Sequence, residues 1–159
     1  MASGKTSIGQ SLAKELGYEF VDTDTMIEEE IGLSINEIFS HYSEPYFRQL
    51  ESKILKIVIK KTKIVVATGG GLPCHRGNMD VILKHGCPIF LKCGFEEIMK
   101  RIKKTRNRPI ASKKSKNELY LLYKSRLDFY KAARFIINSS RPKEKVIQRI
   151  TLLIKNLKN

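Results

Sequence analysis

The chain has 159 residues, of which 42% are hydrophobic, and it carries a formal net charge of +14. This length accommodates one domain around one core and is too short for two ordinary domains. No apolar run approaches the roughly 20 residues of a membrane span and no signal peptide is recognisable, which favours a cytoplasmic protein without a membrane partner. The three cysteines contain no C-x-x-C pair, which argues against a disulfide framework and a cysteine-based zinc site.

The positive charge leaves a nucleic-acid binder open as a rival interpretation. However, the lysines are spread along the whole chain, aromatic residues are not interleaved with them, and no recognition motif is visible. A solvated basic surface that attracts anionic ligands explains the charge better. We therefore expect no nucleic-acid partner.

The segment Ser3-Gly4-Lys5-Thr6 matches the second half of the phosphate-binding pattern G-x-x-x-x-G-K-[ST]. In the full pattern, backbone N–H groups surround a phosphate, the lysine reaches its oxygens and the hydroxyl binds Mg²⁺. Apolar residues then recur at helical spacing from Ile8 to Leu16, and Gly17 follows them. The loop is therefore expected to open a helix whose N-terminus faces bound phosphates. A Gly-Lys-Thr tripeptide on a solvated surface is the alternative.

Two carboxylates follow a short run, Tyr18 to Val21, that is typical of a strand. Asp22 and Asp24 are expected at the carboxyl edge of a sheet, where open α/β sheets bind their ligands. One is suited to hold Mg²⁺ and the other to bind or deprotonate a substrate hydroxyl. The alternative is a turn in which Asp22 or Thr23 caps the next helix.

Two helices are predicted next. The segment 34–37 has the sequence of a capping box, and a longer helix is expected from about Pro45, with an apolar stripe from Phe47 to Val58. Arg48 lies beside this stripe in the first turn, where the helix dipole disfavours a cation. Glu51 is one partner for Arg48, and a substrate carboxylate would use its planar fork better.

The β-branched run Ile64–Thr68 predicts a buried strand, which ends in Gly69-Gly70-Gly71. Three successive glycines cost backbone entropy, and they let a ligand approach the backbone closely. A helix over about 77–84 and a strand over 88–91 follow. The histidines and cysteines around this segment fit no common metal-site spacing.

The basic segment 103–116 has seven Lys or Arg residues in fourteen positions and few apolar anchors. It predicts a mobile cationic lid over a triphosphate, with a basic loop of no function as the alternative. A helix over about 117–130, a strand over 135–137 and a last amphipathic helix with Val146, Ile150, Leu153 and Leu157 complete the pattern. Alternating strands and helices predict an α/β fold with a parallel sheet sandwiched by helices.

Taken in order, these motifs resemble shikimate kinase, a P-loop kinase of nucleoside-monophosphate-kinase-like fold. The resemblance runs from Met1 to about Pro142, and these segments carry it: Ser3-Gly4-Lys5-Thr6, Asp22-Thr23-Asp24, residues 32–39, Phe47-Arg48 with Glu51, Gly69-Gly70-Gly71, Arg108-Pro109, and Arg126 with Tyr130. It implies ATP-dependent phosphorylation of the 3-hydroxyl of shikimate, a step of aromatic amino acid biosynthesis. It also implies Mg²⁺ as the cofactor and a monomer that binds only small molecules.

The resemblance further implies the residues of the site. The catalytic residues would be Lys5, Asp24 and Arg108. ATP would contact Ala2, Ser3, Gly4, Lys5, Thr6, Ser7, Arg101, Arg108 and Arg141. Shikimate would contact Asp24, Arg48, Gly69, Gly70, Gly71 and Arg126, and Mg²⁺ would be bound by Thr6 and Asp22. The single domain over 1–159 would divide into a core (1–23, 62–102 and 133–159), a substrate-binding segment (24–61) and a lid (about 103–117).

The sequence departs from the family pattern at two points. The family has glycine where this chain has Ala2, and the methyl group either crowds the nucleotide or is tolerated there if φ is negative. The family's first strand, which is central in its sheet, is not in this sequence, so we expect a gap of unpaired backbone groups and an internal methionine as the start, with upstream residues. A gluconate-type sugar-acid kinase and a truncated non-catalytic homologue are the alternatives to the shikimate kinase interpretation.

Overall fold

The computed structural model describes residues 2–104 and 115–157, so most of the predicted lid lies outside the described residues. Within these ranges, every predicted helix and strand occurs, and they follow one another in the predicted order. The helices are α1 (Lys5–Leu16), α2 (Thr23–Ile31), α3 (Ile35–His41), α4 (Glu44–Val58), α5 (Asn78–His85), α6 (Phe95–Lys104), α7 (Lys116–Lys131) and α8 (Lys143–Asn156). The strands are β1 (Glu19–Asp22), β2 (Ile64–Ala67), β3 (Ile89–Lys92) and β4 (Phe135–Asn138).

Local sequence chemistry sets several of these boundaries. The predicted capping box is confirmed at α3, where Ser34 Oγ accepts from the Glu37 amide at 3.3 Å and the Glu37 carboxylate accepts from the Ser34 amide at 2.8 Å. Gly17 ends α1, as predicted. Ser43 caps α4 through the Tyr46 amide at 3.4 Å, so that the helix begins at Glu44, one residue before its predicted start.

The four strands form two parallel pairs. In the first pair, β1 and β2 run side by side from Glu19 opposite Ile64 to Asp22 opposite Ala67. In the second, β3 and β4 pair in the same way. The largest apolar core lies between the first pair and helices α2 to α4, and a second core joins α1 and α8 to the second pair. The prediction of parallel strands covered by helices is confirmed.

A cavity of about 620 Å³ lies between β2 and β3, and no ladder joins these two strands within the described ranges. Helices α1 and α8 line the cavity with Leu12 and Ile150, and α4 and α5 line it with Leu55 and Ile82. Lys5 lies at its border. The cavity is bordered by strand edges on two sides and by apolar helix faces on the others. This is what we expected for the gap of unpaired backbone groups predicted from the sequence.

Three features differ from the sequence-based predictions. Helix α6, which directly precedes the basic segment, was not predicted, and α2 was foreseen only in the alternative in which Asp22 or Thr23 caps a helix. Leu157, expected on the apolar stripe of the last helix, is 47% exposed because that helix ends at Asn156.

In the part of the chain that the structure describes, no helix is both long and apolar enough to cross a bilayer.

Candidate active site

The phosphate loop leads directly into α1. Ser3 is buried, Gly4 caps the helix at φ 89°, and Lys5, Thr6 and Ser7 form the first turn. The first amides of a helix have no intrahelical partner, so their N–H groups point out of its N-terminal end. This end of α1 is therefore suited to bind an anion, as predicted.

Ala2 does not satisfy the condition under which its methyl group was expected to be tolerated. Its φ is +43°, in the left-handed region that disfavours a side chain, so of the two alternatives given for the methyl group the one that required a negative φ does not apply. The backbone turns here because Ala2 is buried against Cys93 and Ile98, and its carbonyl accepts from Arg101 Nη1 at 3.3 Å. The loop therefore carries strain at the position where the family has glycine.

The predicted metal-binding pair is brought together. Thr6 Oγ1 donates to Asp22 Oδ2 at 2.9 Å, which joins the start of α1 to the end of β1. Asp22 also caps α2, because its Oδ1 accepts from the Asp24 amide at 3.1 Å, so the capping interpretation is confirmed as well. Across the described residues, no cluster of three or more His, Cys, Asp or Glu side chains is placed to hold a metal.

Asp24 lies in the first turn of α2, facing the glycine triplet. Burial raises the pKa of its carboxyl, and the neighbouring charge of Asp22 raises it further. Lys5 and Arg48 act in the opposite direction and lower the pKa, so both cations lie near this carboxylate. A carboxylate with a raised pKa, close to a phosphate-binding lysine, is suited to accept a proton from an alcohol.

The glycine triplet, called the glycine wall below, lies against Asp24 and Arg48, and these residues together form the candidate acceptor pocket. A Cβ atom added at Gly69 would collide with Asp24 Oδ1, and one added at Gly71 would collide with the Arg48 guanidinium. The Gly69 amide donates to the buried Thr23 Oγ1 at 2.9 Å, which fixes the wall against α2. Gly69 and Gly71 thus let the ends of charged side chains approach their backbone closely, whereas the close approach of a ligand stays a prediction.

Arg48 is held by two carboxylates of its own helix. Its Nη1 contacts Glu51 Oε2 and its Nη2 contacts Glu44 Oε1, each at 2.6 Å. Burial lowers the pKa of Arg48, but hydrogen bonds and charge from Glu51 and Glu44 outweigh it and leave the pKa above its ordinary value. The Glu51 side chain is only 1% exposed, and burial raises its pKa against the effect of Arg48. The pairing with Glu51 was predicted, whereas the pairing with Glu44 was missed.

Arg126 approaches the same pocket from α7. Its positive charge lowers the pKa values of Glu51, Cys74 and Tyr130, so it lies close to all three groups. Arg48 also acts on Cys74, and the two arginines therefore converge on one region. The Tyr130 hydroxyl donates to the Gly70 carbonyl at 2.6 Å, a contact that sequence reasoning missed although the Arg126-x-x-x-Tyr130 spacing places both on one helix face.

Three arginines were assigned to the nucleotide side. Arg101 Nη2 donates to the Ser139 carbonyl at 3.0 Å and its Nε to Glu97 at 2.9 Å, and it also contacts the Ala2 carbonyl. It thus lies beside the phosphate loop and links it to the end of β4. Arg141 is exposed in the turn after that strand, and Arg108 lies outside the described residues.

A phosphate loop that opens a helix, beside an acceptor pocket at the carboxyl ends of parallel strands, is the arrangement of a P-loop kinase. The family model described as shikimate kinase matches residues 1–155 of this chain. The chain therefore belongs to the shikimate kinase family and is an enzyme of the kinase class.

Curated relatives and solved structures agree with this assignment. A shikimate kinase of Clostridium botulinum is 40% identical over 147 residues, which are 91% of this chain and 86% of the relative. A shikimate kinase of Thermodesulfovibrio yellowstonii is 36% identical over 161 aligned positions, covering 100% of this chain and 93% of the relative.

Among solved structures, a shikimate kinase from Bacteroides thetaiotaomicron has a TM-score of 0.90 at 31% identity and covers 98% of this chain and 94% of its own. Shikimate kinase from Acinetobacter baumannii in complex with shikimate has a TM-score of 0.92 at 31% identity, covering 99% and 90%. These findings support the predicted family and the phosphorylation of shikimate, and they do not support the sugar-acid alternative.

Proposed function

We propose that this chain transfers the γ-phosphoryl group of ATP to the 3-hydroxyl of shikimate, in the pocket formed by Asp24, Arg48, the glycine triplet and Arg126. The observation that carries this assignment is the presence of two arginines and one buried carboxylate in the same site. Arg48 and Arg126 both act on Cys74, and Asp24, a buried carboxylate with a raised pKa, lies near Lys5 and Arg48. A ligand that carries both a carboxylate and a hydroxyl matches these groups.

The acceptor side comprises Asp24, Arg48, Glu51, residues 69–71, Arg126 and Tyr130. In this proposal the two guanidinium groups bind the shikimate carboxylate, because a planar fork matches a carboxylate better than an ammonium group does. Gly69 to Gly71, chiefly Gly70, form the wall against which the ring lies. Asp24 orients the hydroxyl and accepts its proton as the phosphoryl group is transferred.

The donor side comprises residues 2–7, Asp22 and Arg101. Here the loop amides and Lys5 bind the ATP phosphates, with Ser3, Gly4 and Ser7 contributing contacts. Thr6 and Asp22 supply two hard oxygen ligands at 2.9 Å from each other, which fits Mg²⁺ better than it fits a soft metal. Bound Mg²⁺ would neutralise phosphate charge. Arg108 would act on the transferred group and Arg141 would lie near the adenine.

The remaining assignments extend this proposal to the whole chain. Residues 24–61 would serve as the substrate-binding segment, about 103–117 as the lid and the rest as the core. The free thiols of Cys74, Cys87 and Cys93 suit a reducing compartment, which supports cytoplasmic activity. We propose a monomer that acts on small molecules.

The test is ADP release by this chain with Mg·ATP, measured with and without shikimate. We expect release to depend on shikimate and to fall by about 100- to 10,000-fold in Asp24→Asn, the usual range for loss of a general base. Asp128→Asn removes a carboxylate of α7 that is 88% exposed and serves as the matched control. Shikimate-independent release, or full activity of Asp24→Asn, would contradict the role assignment.

A second arm separates the alternatives. Arg48→Ala is expected to weaken shikimate binding with little change in ATP binding, because Arg48 lies on the acceptor side. Gluconate replaces shikimate in a parallel assay to test the sugar-acid kinase. A chain that binds shikimate and ATP but releases no ADP would identify a non-catalytic homologue.

A further inference from the structure

Tyr130 makes the shortest contact between α7 and the glycine wall. Its hydroxyl donates to the Gly70 carbonyl at 2.6 Å, and the Arg126 guanidinium and the Cys74 thiol both lie beside the same hydroxyl. The hydroxyl therefore connects Arg126, a candidate to bind the substrate carboxylate, to the backbone of the glycine wall.

The geometry of the peptide unit gives this bond a directional effect. The Gly70 carbonyl shares a rigid plane with the Gly71 N–H, and the two groups point in opposite directions. Holding the carbonyl toward α7 therefore aims the Gly71 N–H away from α7. Gly71 lies against the Arg48 guanidinium, since a Cβ there would collide with it. The Gly70–Gly71 peptide is thus bonded to Tyr130 at its carbonyl and packed against Arg48 at Gly71.

The phenol ring is itself held in place. Its centroid lies 5.1 Å from that of Phe90 on β3, and the tyrosine stands one turn beyond Arg126 on α7. Burial raises the pKa of Tyr130 to about 12, so the hydroxyl keeps its proton and remains a donor throughout the neutral range. Without side chains, Gly70 and Gly71 have little resistance of their own to rotation of this peptide.

We propose that Tyr130 is a positioning residue for substrate binding: its hydroxyl fixes the Gly70–Gly71 peptide and the Arg126 guanidinium in the geometry that accepts the substrate carboxylate. This inference rests on the proposed acceptor side. It assigns Tyr130 a role in the affinity for shikimate and none in the affinity for ATP or in the transfer step.

The experiment compares Tyr130→Phe with Tyr123→Phe. Tyr123 lies on the same helix and its hydroxyl also donates to a backbone carbonyl, that of Cys93, at 3.3 Å. Each variant loses one tyrosine-to-carbonyl hydrogen bond and keeps its ring. We expect Tyr130→Phe to raise the Kd and KM for shikimate by about 3- to 10-fold, the range for one neutral hydrogen bond, with kcat and the KM for ATP unchanged. Tyr123→Phe is expected to leave the Kd for shikimate unchanged.

A spectroscopic readout tests the positioning directly. In the ligand-free protein, the amide resonance of Gly71 should shift in Tyr130→Phe and not in Tyr123→Phe, because the first variant alone frees that peptide. An unchanged Kd for shikimate in Tyr130→Phe would overturn the inference. Equal weakening by both variants would also overturn it, since that result indicates a general packing effect of α7.

Failure of the proposed acceptor side gives a different result. If Arg48→Ala and Arg126→Ala both retain wild-type shikimate affinity, the acceptor side itself is wrong. If those two variants lose affinity while Tyr130→Phe keeps it, the acceptor side is supported and only the role of Tyr130 is rejected.

Discussion

The proposed acceptor side and the proposed donor side differ in how firmly hydrogen bonds and ion pairs between the described residues hold them in place. On the acceptor side, Arg48 has two carboxylate partners, the Gly69 amide is bonded to Thr23 and the Gly70 carbonyl to Tyr130. On the donor side, Ala2 has a strained φ and Lys5 borders a large cavity. The residues of the proposed acceptor side are thus preorganised by hydrogen bonds and ion pairs, whereas the phosphate loop has a strained residue and borders a cavity.

The largest expected effect comes from filling the cavity between β2 and β3. A five-residue strand of Val and Ile, joined ahead of Met1, should pair with both strand edges and bury its side chains against α1, α4 and α8. We expect the free energy of unfolding to rise by about 3–5 kcal/mol after the ordering cost, with a higher melting temperature. Amide hydrogen exchange at Val66 and Leu91, whose N–H groups point away from the existing ladders, should slow at the same time.

The matched control is the same extension with proline at alternate positions, which cannot form the two ladders. If both extensions stabilise the protein equally, the effect does not come from strand pairing. A gain in ATP affinity without a gain in shikimate affinity would confirm that the donor side is the one left incompletely supported.

The second largest effect is expected on the stability of the acceptor side, when a carboxylate partner of Arg48 is removed. Glu51→Gln removes the buried partner of Arg48, and we expect a loss of about 3 kcal/mol in the free energy of unfolding, because breaking a buried pair leaves a cation without its partner. Glu44→Gln removes the exposed partner of the same arginine and should cost less than about 1 kcal/mol. Urea unfolding of the two variants measures the difference, and equal losses would contradict the distinction between the partners.

A pH experiment addresses the hydrogen bond of Tyr130. The pKa of this tyrosine is raised to about 12, so between pH 10 and 12 an unfolded chain has lost the proton that the folded chain keeps. Stability therefore falls as pH rises through this window, by about 2.7 kcal/mol for two pKa units. Tyr130→Phe removes this component while other groups titrate equally, so the wild-type protein should lose more stability than the variant. Parallel curves would contradict the raised pKa.

The smallest effect concerns the strain at Ala2. Ala2→Gly should stabilise the protein by about 1 kcal/mol, because glycine adopts a φ of +43° without the steric cost that alanine has there. Ala13→Gly, within α1 and at a helical φ, is the control and should destabilise the protein. Thermal unfolding distinguishes the two signs, and a loss of stability in Ala2→Gly would show that the loop is not strained.

The sequence predicted what depends on short spacing. The capping box at 34–37, the C-terminal Gly17 and the pairing of Arg48 with Glu51 are set by neighbours within four residues, and all are confirmed. The convergence of Asp24, Arg48 and the glycine triplet was inferred from the family resemblance, and the structure gives the reason in the close approach of charged groups to Gly69 and Gly71.

Long-range contacts could not be predicted in the same way. The hydrogen bond from Tyr130 to Gly70 joins residues that are 60 positions apart. Its acceptor is a backbone carbonyl, which every residue type has, so the residue type at position 70 does not indicate the bond. The φ of Ala2 depends on packing against Cys93 and Ile98, which lie on a distant segment. The bonds of Arg101 to the backbone were missed for the same reason, since a carbonyl acceptor places no constraint on the residue type.

Arg101 also has a consequence for the order in which the protein forms during synthesis. Its guanidinium binds the carbonyls of Ala2 and Ser139, contacts that span 99 and 38 residues. The ribosome produces the chain from its N-terminus, and long-range contacts must wait for the later partner. The phosphate loop is therefore synthesised well before Arg101 and Ser139, the two residues that complete its contacts. A nascent chain arrested before Ser139 should lack ordered nucleotide binding even though every residue of the loop has already emerged.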